Sequence, residues 1–290
     1  MADLKKAVPE NVGGEFFVDT TCIDCDTCRQ VAPETFDDAG EYSYVHQQPE
    51  NEAQNRLALQ ALLSCPTGSI GTRAANRAKQ VMDDFPLLVD DPVYYCGFTS
   101  PKSFGGSSYL IRHPAGNWLV DSPKFLPNLV RKFKEAGGLA YIFLTHSDDV
   151  GDVHRYAEEF GAKRIIHREE LWSQPDSEIV IDGFEPARIQ PEFLVIPTPG
   201  HSKGHCSLLY ADRYLFTGDH LWWERKDQRL GMPSYYFWDK AEMARSAEKL
   251  LNYTFEWILP GHGQRVHLPA AQMRVALETL VTRSGHLMSR

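Results

Sequence analysis

The apolar positions of this chain repeat with a period that changes along its length. Over NEAQNRLALQALL (51–63), Leu57, Leu59, Leu62 and Leu63 fall with Ala53 and Ala61 on one helical face. Residues 83–93, DDFPLLVDDPV, interrupt that pattern with proline and acid and read as a linker or domain entry. The expected units are therefore 1–84 and 85–290. Beyond the linker, VYYCGFT, SSYLIRH and NWLVDS read as strands, with HPAGN turning between the last two. KFLPNLVRKFKEAGG reads as an amphipathic helix stopped by glycine, and AYIFLTH as a buried strand. A helix at VHRYAEEFG and strands at KRIIH, EFLVIPT, CSLLY and RYLFTGD follow. A helix at KAEMARSAEKLLNY, a strand at TFEWILP and a helix at AAQMRVALETLVTR complete the order. Hairpins first, then strands alternating with helices, predict a layered α/β sandwich.

Composition adds little to this picture: 42% hydrophobic and 24% charged residues allow a core of ordinary size. The formal net charge of −9 argues against a nucleic-acid backbone or an anionic membrane as the main partner. No apolar run is long enough to span a bilayer, and MADLKKAVPENVGGEFF lacks the apolar stretch of a signal peptide. A cytoplasmic location is the expectation. In that compartment, three of six cysteines within seven residues suggest metal or metal–sulfur chemistry rather than disulfides.

CIDCDTC sets Cys22, Cys25 and Cys28 at two-residue intervals, and Cys65 follows far downstream in SCPTGSI. Three thiolates on a tight loop wrap one face of an iron–sulfur cube, and a distant fourth closes the last corner. Structural zinc more often shows two separated C-x-x-C knuckles. With PETF and an acidic turn after the third cysteine, residues 15–72 resemble a bacterial-type ferredoxin with one cluster. The resemblance implies a [4Fe–4S] cluster on Cys22, Cys25, Cys28 and Cys65, one-electron transfer, and a redox partner protein or reductase.

Further on, TPGHSKGHCSLLY, LFTGDHL and LPGHG each put a potential ligand at a strand end beside glycine, where backbone can approach a metal closely. His201, Asp219 and His262 in that order, with His146 upstream in THSDDVGDVH, make a constellation rather than isolated histidines. Together with SSYLIRHPAGNWLVDSP they resemble the metallo-β-lactamase fold family from about residue 90 onward. The implied architecture is an αββα sandwich preceded by a small α+β ferredoxin-like domain. The family's His-x-His-x-Asp-His motif starts at His146, and counting from it puts Asp148 at the second His position. Val150 and Gly151 then fall where the motif has Asp and His. By that count, one metal site remains, on His146, Asp148, His201 and Asp219, while the second keeps only Asp219 and His262, too few for tight binding unless Asp149, Asp152 or His154 swings in.

A carboxylate in place of an imidazole shifts the preference toward iron or manganese, and the expected occupant is one iron, with zinc or manganese as alternatives. The flavodiiron branch of the fold also has a carboxylate at that position but keeps the next Asp and His, and the persulfide-dioxygenase branch works with one iron. Asp148 or Asp219 would hold a nucleophile in a hydrolytic reaction. Beside them, Trp222, Trp223, Tyr235, Tyr236, Phe237 and Trp238 could wall a substrate site or pack on the first unit. Arg225, Lys226 and Arg229 could hold a small anionic substrate, and His205 and His220 stand behind the ligands. The functional expectation is a redox or hydrolytic enzyme with an electron-transferring cluster. The alternative is an iron–sulfur carrier whose second unit lacks a metal.

Overall fold

Two β-sheets packed face to face form the body of the molecule in the computed structural model, which describes residues 2–74 and 77–288. The first sheet has seven strands, in spatial order Ile179–Ile181, Lys163–His167, Tyr141–Phe143, Trp118–Val120, Tyr109–Ile111, Val93–Tyr95 and Leu87–Asp90. The second has six, in order Ala187–Gln190, Phe193–Pro197, Cys206–Tyr210, Tyr214–Gly218, Trp257–Pro260 and Val266–His267. Central strands such as Trp118–Val120 and Phe193–Pro197 are buried at every residue, as expected where both faces of a sheet are covered. Between the sheets, Trp118 stacks on Phe193 with ring centroids 4.0 Å apart, and Val120, Phe143, Val195 and Phe216 fill the same layer.

Helices cover the outer faces. Pro127–Glu135 and Val153–Phe160 set Leu129, Phe133, Val153 and Tyr156 against Leu119, Ile142 and Ile166 of the first sheet. Lys240–Leu250 and Ala270–Met288 do the same for Leu194, Leu209 and Ile258 of the second. The result is the layered sandwich that the pattern predicted, in the αββα order that the family resemblance implied. Among the described residues no helix is long and apolar enough to cross a membrane.

The segment read as a linker or domain entry enters the sandwich as a strand, which the pattern did not predict. Leu87–Asp90 is the edge strand of the first sheet, paired antiparallel with Val93–Tyr95. Its flanking prolines and acids hide it, and such residues are tolerated at an edge because one side of the strand makes no ladder bonds. Asp90 also reaches the other sheet, accepting from Tyr214 Oη at 2.8 Å and pairing with Arg213 at 2.8 Å.

In the first unit, Phe16–Val18 pairs antiparallel with Ile70–Thr72. That pairing brings the CIDCDTC loop beside the end of helix Glu52–Ser64, where Cys65 is the C-cap. The predicted apolar face of this helix is only partly right: Ala58, Leu59 and Ala61 are buried, while Leu57 is exposed. Several bonds join this unit to the sandwich. Thr99 Oγ1 donates to Ser64 O at 2.9 Å, Gln30 Nε2 to Gly263 O at 2.8 Å, and Arg225 to Arg29 O at 3.1 Å.

Candidate functional site

All four cysteines of the first unit line a single small cavity with Val18, Ile23 and Ile70. The backbone N–H of Ser69 points at Cys65 Sγ (3.3 Å) and that of Ser43 at Cys22 Sγ (3.5 Å). Burial pushes the Cys25 thiol up to about 11 and the Cys28 thiol well above its ordinary value. Buried sulfurs of this kind keep their protons unless a positively charged core replaces them. A single tetrahedral zinc with bonds near 2.3 Å would draw its sulfurs to about 3.8 Å from one another. Among the described residues, the only trios of ligand atoms within 4.8 Å of one another lie in the sandwich, so the cysteines stand at wider spacing. The four sulfurs are therefore not drawn together as a single zinc would draw them.

The sandwich gathers its candidates at one end of the two sheets. His146 follows the strand Tyr141–Phe143, Asp219 ends Tyr214–Gly218, and His262 follows Trp257–Pro260. His201 lies in the turn after Phe193–Pro197, where Trp238 N donates to His201 O at 2.7 Å. Two trios of donors form and share Asp219: His146, His201 and Asp219, and Asp149, Asp219 and His262.

In the first trio His146 Nε2 stands 3.8 Å and His201 Nε2 3.7 Å from Asp219 Oδ2. Asp148 flanks it, with Oδ2 3.9 Å from His146 Nε2 and 3.6 Å from His201 Nε2, on the exposed side. The His201 interaction and nearby imidazoles hold the Asp148 carboxyl below its usual value. In the second trio His262 Nδ1 lies 2.8 Å from Asp219 Oδ1. Burial opposes charge on His262, but the Asp219 carboxylate hydrogen-bonded to it prevails and pushes it up to about 10. Burial and the neighbouring Asp219 drive Asp149 well above the carboxylate range.

Of the three replacements considered for the second site, Asp149 is the one that the structure places beside Asp219 and His262. The count leaves only Asp219 and His262 from the motif, with Val150 and Gly151 at its Asp and His positions; the structure supplies Asp149 as a third donor there. Residues Ser147–Asp149 form one 3₁₀ turn, so Asp148 faces the exposed mouth and Asp149 turns inward. Asp149 does not cap the following helix. Its niche is cut by two glycines: a methyl on Gly106 would collide with its carboxylate, and one on Gly261 would lie 2.7 Å from Oδ2. Those glycines, in SFGGSS and LPGHG, are the signal available in the sequence. Asp152 is spent on Lys102 Nζ (2.8 Å) and Phe125 N (3.0 Å), and His154 is exposed.

Supporting bonds fix the donors. Thr145 Oγ1 donates to Asp121, so it accepts from His146 Nδ1 at 3.0 Å, which leaves the Nε2 lone pair facing the trio. Burial raises the Asp121 carboxyl to about 8, although the Thr145 bonds oppose it. His205 Nε2 accepts from Asp219 N at 3.2 Å, which makes it a support for the carboxylate that the two trios share. Buried Glu170 accepts from Gly204 N at 2.8 Å and Ser147 N at 3.3 Å, tying the His146 and His201 loops together. His220 is buried, and neither ring nitrogen has a hydrogen-bond partner.

A metal fits this donor set. His146 Nε2 and both Asp149 oxygens are buried at 0–1% exposure with no hydrogen-bond partner, an arrangement that is costly unless something positive binds them. Beside Asp148 and His201 an open cavity of about 470 Å³ is lined by Trp172, Lys203, Tyr236 and Trp238. The basic residues expected to hold an anion are engaged elsewhere. Arg225 binds Arg29 O, Lys226 pairs with Asp38 at 2.9 Å, and Arg229 pairs with Asp227 and Glu224 at 2.6 Å.

Comparison with known proteins agrees with both halves. Residues 18–72 match the 4Fe-4S single cluster domain of Ferredoxin I, and residues 102–262 match the Metallo-beta-lactamase superfamily. The chain is 24% identical over 213 residues to the uncharacterised YobT protein of Bacillus subtilis, covering 61% of this chain and 91% of YobT. It is 29% identical over 175 residues to the beta-lactamase-like protein 2 homolog of Caenorhabditis elegans, covering 55% of this chain and 56% of that protein. A metallo-beta-lactamase family protein from Thermus thermophilus superposes with a TM-score of 0.50 at 18% identity, covering 69% of this chain and 81% of that one. This last likeness speaks to the fold alone.

Proposed function

Since the chain belongs to the metallo-beta-lactamase superfamily and carries a 4Fe-4S single cluster domain in front, we propose that it is a metal-dependent redox enzyme supplied with electrons by its own cluster. The observation that carries this reading is the set of buried, unpartnered donors, His146 Nε2 and the Asp149 carboxylate, in a chain that also builds a four-cysteine cavity. His146, His201 and Asp219, flanked by Asp148, would hold one ion, and Asp149, Asp219 and His262 a second. A donor set this rich in carboxylate suits iron or manganese better than a set of imidazoles would. Bound there, such an ion supplies one-electron chemistry or polarises a substrate oxygen.

The chain's own groups do the rest. Thr145 and Asp121 hold the His146 ring so that one lone pair faces inward. His205 fixes the backbone of Asp219, and Glu170 keeps the two ligand loops in register. Asp148, at the mouth, is placed to accept a proton from a substrate entering between Trp172 and Tyr236. That same exposed carboxylate supports the second reading, a hydrolase in which it activates water.

The test is metal and sulfide analysis of protein purified without oxygen. The redox reading expects the four irons of a [4Fe–4S] cluster plus one or two further iron or manganese ions per chain. The His146→Ala, His201→Ala double variant should lose at least one of the extra ions and keep the cluster. Extra zinc would favour the hydrolytic reading. Cluster iron alone, unchanged in the double variant, would leave an electron carrier without an enzymatic centre.

A further inference from the structure

The two donor trios face different neighbours. The His146 and His201 side opens through Asp148 and His201 onto the cavity beside Trp172 and Tyr236. Asp149 and His262 lie instead beneath residues 103–107. That segment touches the cysteine cavity on its other side: a Cβ on Gly105 would stand 2.9 Å from Pro66 Cγ and 3.7 Å from Ile23 Cδ1. Pro66 follows Cys65 directly, and Ile23 follows Cys22.

One residue back, the Phe104 carbonyl accepts a hydrogen bond from His262 Nε2 at 3.2 Å. One residue on, Gly106 lies so close to Asp149 that a methyl there would collide with its carboxylate. Ser107 N donates to Gly261 O at 2.7 Å, which fixes the segment to the loop that carries His262.

We propose that residues 104–106 are an electron bridge between the cluster cavity and the Asp149, Asp219 and His262 trio, and that the two trios divide the work. The cluster-facing trio exchanges electrons, and the cavity-facing trio meets the substrate. This inference rests on the redox reading above. The route runs from Cys65 along one peptide to Pro66, across one van der Waals contact to Gly105, along one peptide to the Phe104 carbonyl, and over one hydrogen bond to His262. Electronic coupling falls off far less through bonds and contacts than through empty space, and this route has a single unbonded gap.

The glycines keep that gap small. Gly105 has φ +90, which strains any other residue, and a side chain at 105 or 106 would push the backbone off Pro66 or Asp149. The step moves one electron and no proton, and it makes or breaks no bond. The cluster loses the electron that the ion gains, and an external one-electron reductant restores it.

The test uses the full chain with its cluster intact and reduced by dithionite, the sandwich being loaded with manganese(II) or, as a diamagnetic control, zinc(II). Manganese should speed the magnetic relaxation of the cluster's electron paramagnetic resonance signal severalfold over zinc. Either ion should raise the cluster's reduction potential, because a nearby positive charge favours the added electron. In Asp149→Ala most of both effects should vanish, whereas in His201→Ala they should persist. Asp149→Asn serves as a second version of the first variant, and the cluster signal itself reports that each variant has folded. Equal relaxation with both ions, in protein shown by metal analysis to hold them, would overturn the bridge and leave the redox reading standing. Absence of any bound ion would overturn both. Equal loss in His201→Ala and Asp149→Ala would overturn the division of work.

Discussion

Asp149 weakens the fold that contains it. Its carboxyl is buried beside Asp219 and no donor satisfies either oxygen, an arrangement that costs on the order of 1–3 kcal/mol. Removing it should therefore help the metal-free protein. Asp149→Ala is expected to unfold at an equal or higher temperature than the parent when metal is stripped, and to gain less on adding manganese or zinc. The parent should gain about 2.7 kcal/mol at a hundredfold excess of free ion over Kd. A large loss of stability in the metal-free variant would show instead that Asp149 serves the fold. Asp148→Asn, at an exposed position, should leave the metal-free melting temperature unchanged and weaken metal uptake. The sequence does not separate these neighbours. Both are acids one residue apart, and only the 3₁₀ turn decides which of them points inward.

Among the elements, the buried ones are readable and the edges are not. Trp118–Val120, Phe193–Pro197 and Tyr214–Gly218 announce themselves as apolar runs because both of their faces are covered. Leu87–Asp90 and Ile179–Ile181 lie at the two rims of their sheet, where fewer contacts constrain composition, and the first reads as a linker or domain entry. The second rim strand is anchored by side chains instead: Arg164 pairs with Glu178 at 2.8 Å, just ahead of Ile179. Arg164 lowers the Glu178 carboxyl from its ordinary 4.5 to about 2. A carboxyl lowered in the folded state adds stability above its unfolded value and loses it as the pH falls through the folded one. Because Glu178 is 42% exposed, the contribution is only about 0.2–1 kcal/mol. Glu178→Gln should cost that much in urea unfolding at pH 7, and the difference should shrink as the pH falls below about 4.5 toward 2. A penalty unchanged at pH 3 would mean that the anchor is not ionic.

At the scale of the whole molecule, both chemistries are visible in residue spacing, and the joint between them is not. The cysteines and histidines stand in short motifs. The contacts that seat one unit on the other connect residues such as Gln30 and Gly263, which lie 233 positions apart. Arg225 and Lys226 illustrate the difference: their charges suggest an anion site, yet they hold Arg29 O and Asp38 of the first unit. Replacing both with alanine should make residues 1–72 easier for a protease to cut while the sandwich resists. Equal resistance to the parent would show that these two contacts do not seat the unit.

The contact between Gly105 and Pro66 also limits how such a chain can be reassembled from parts. A foreign cysteine unit grafted ahead of this sandwich must present a compact residue just after its last cysteine, because the opposing backbone has no side chain that could shift. Joining the two coding segments would therefore not by itself restore this packing, and exchange of the front unit would have to bring its matching surface along with its cysteines.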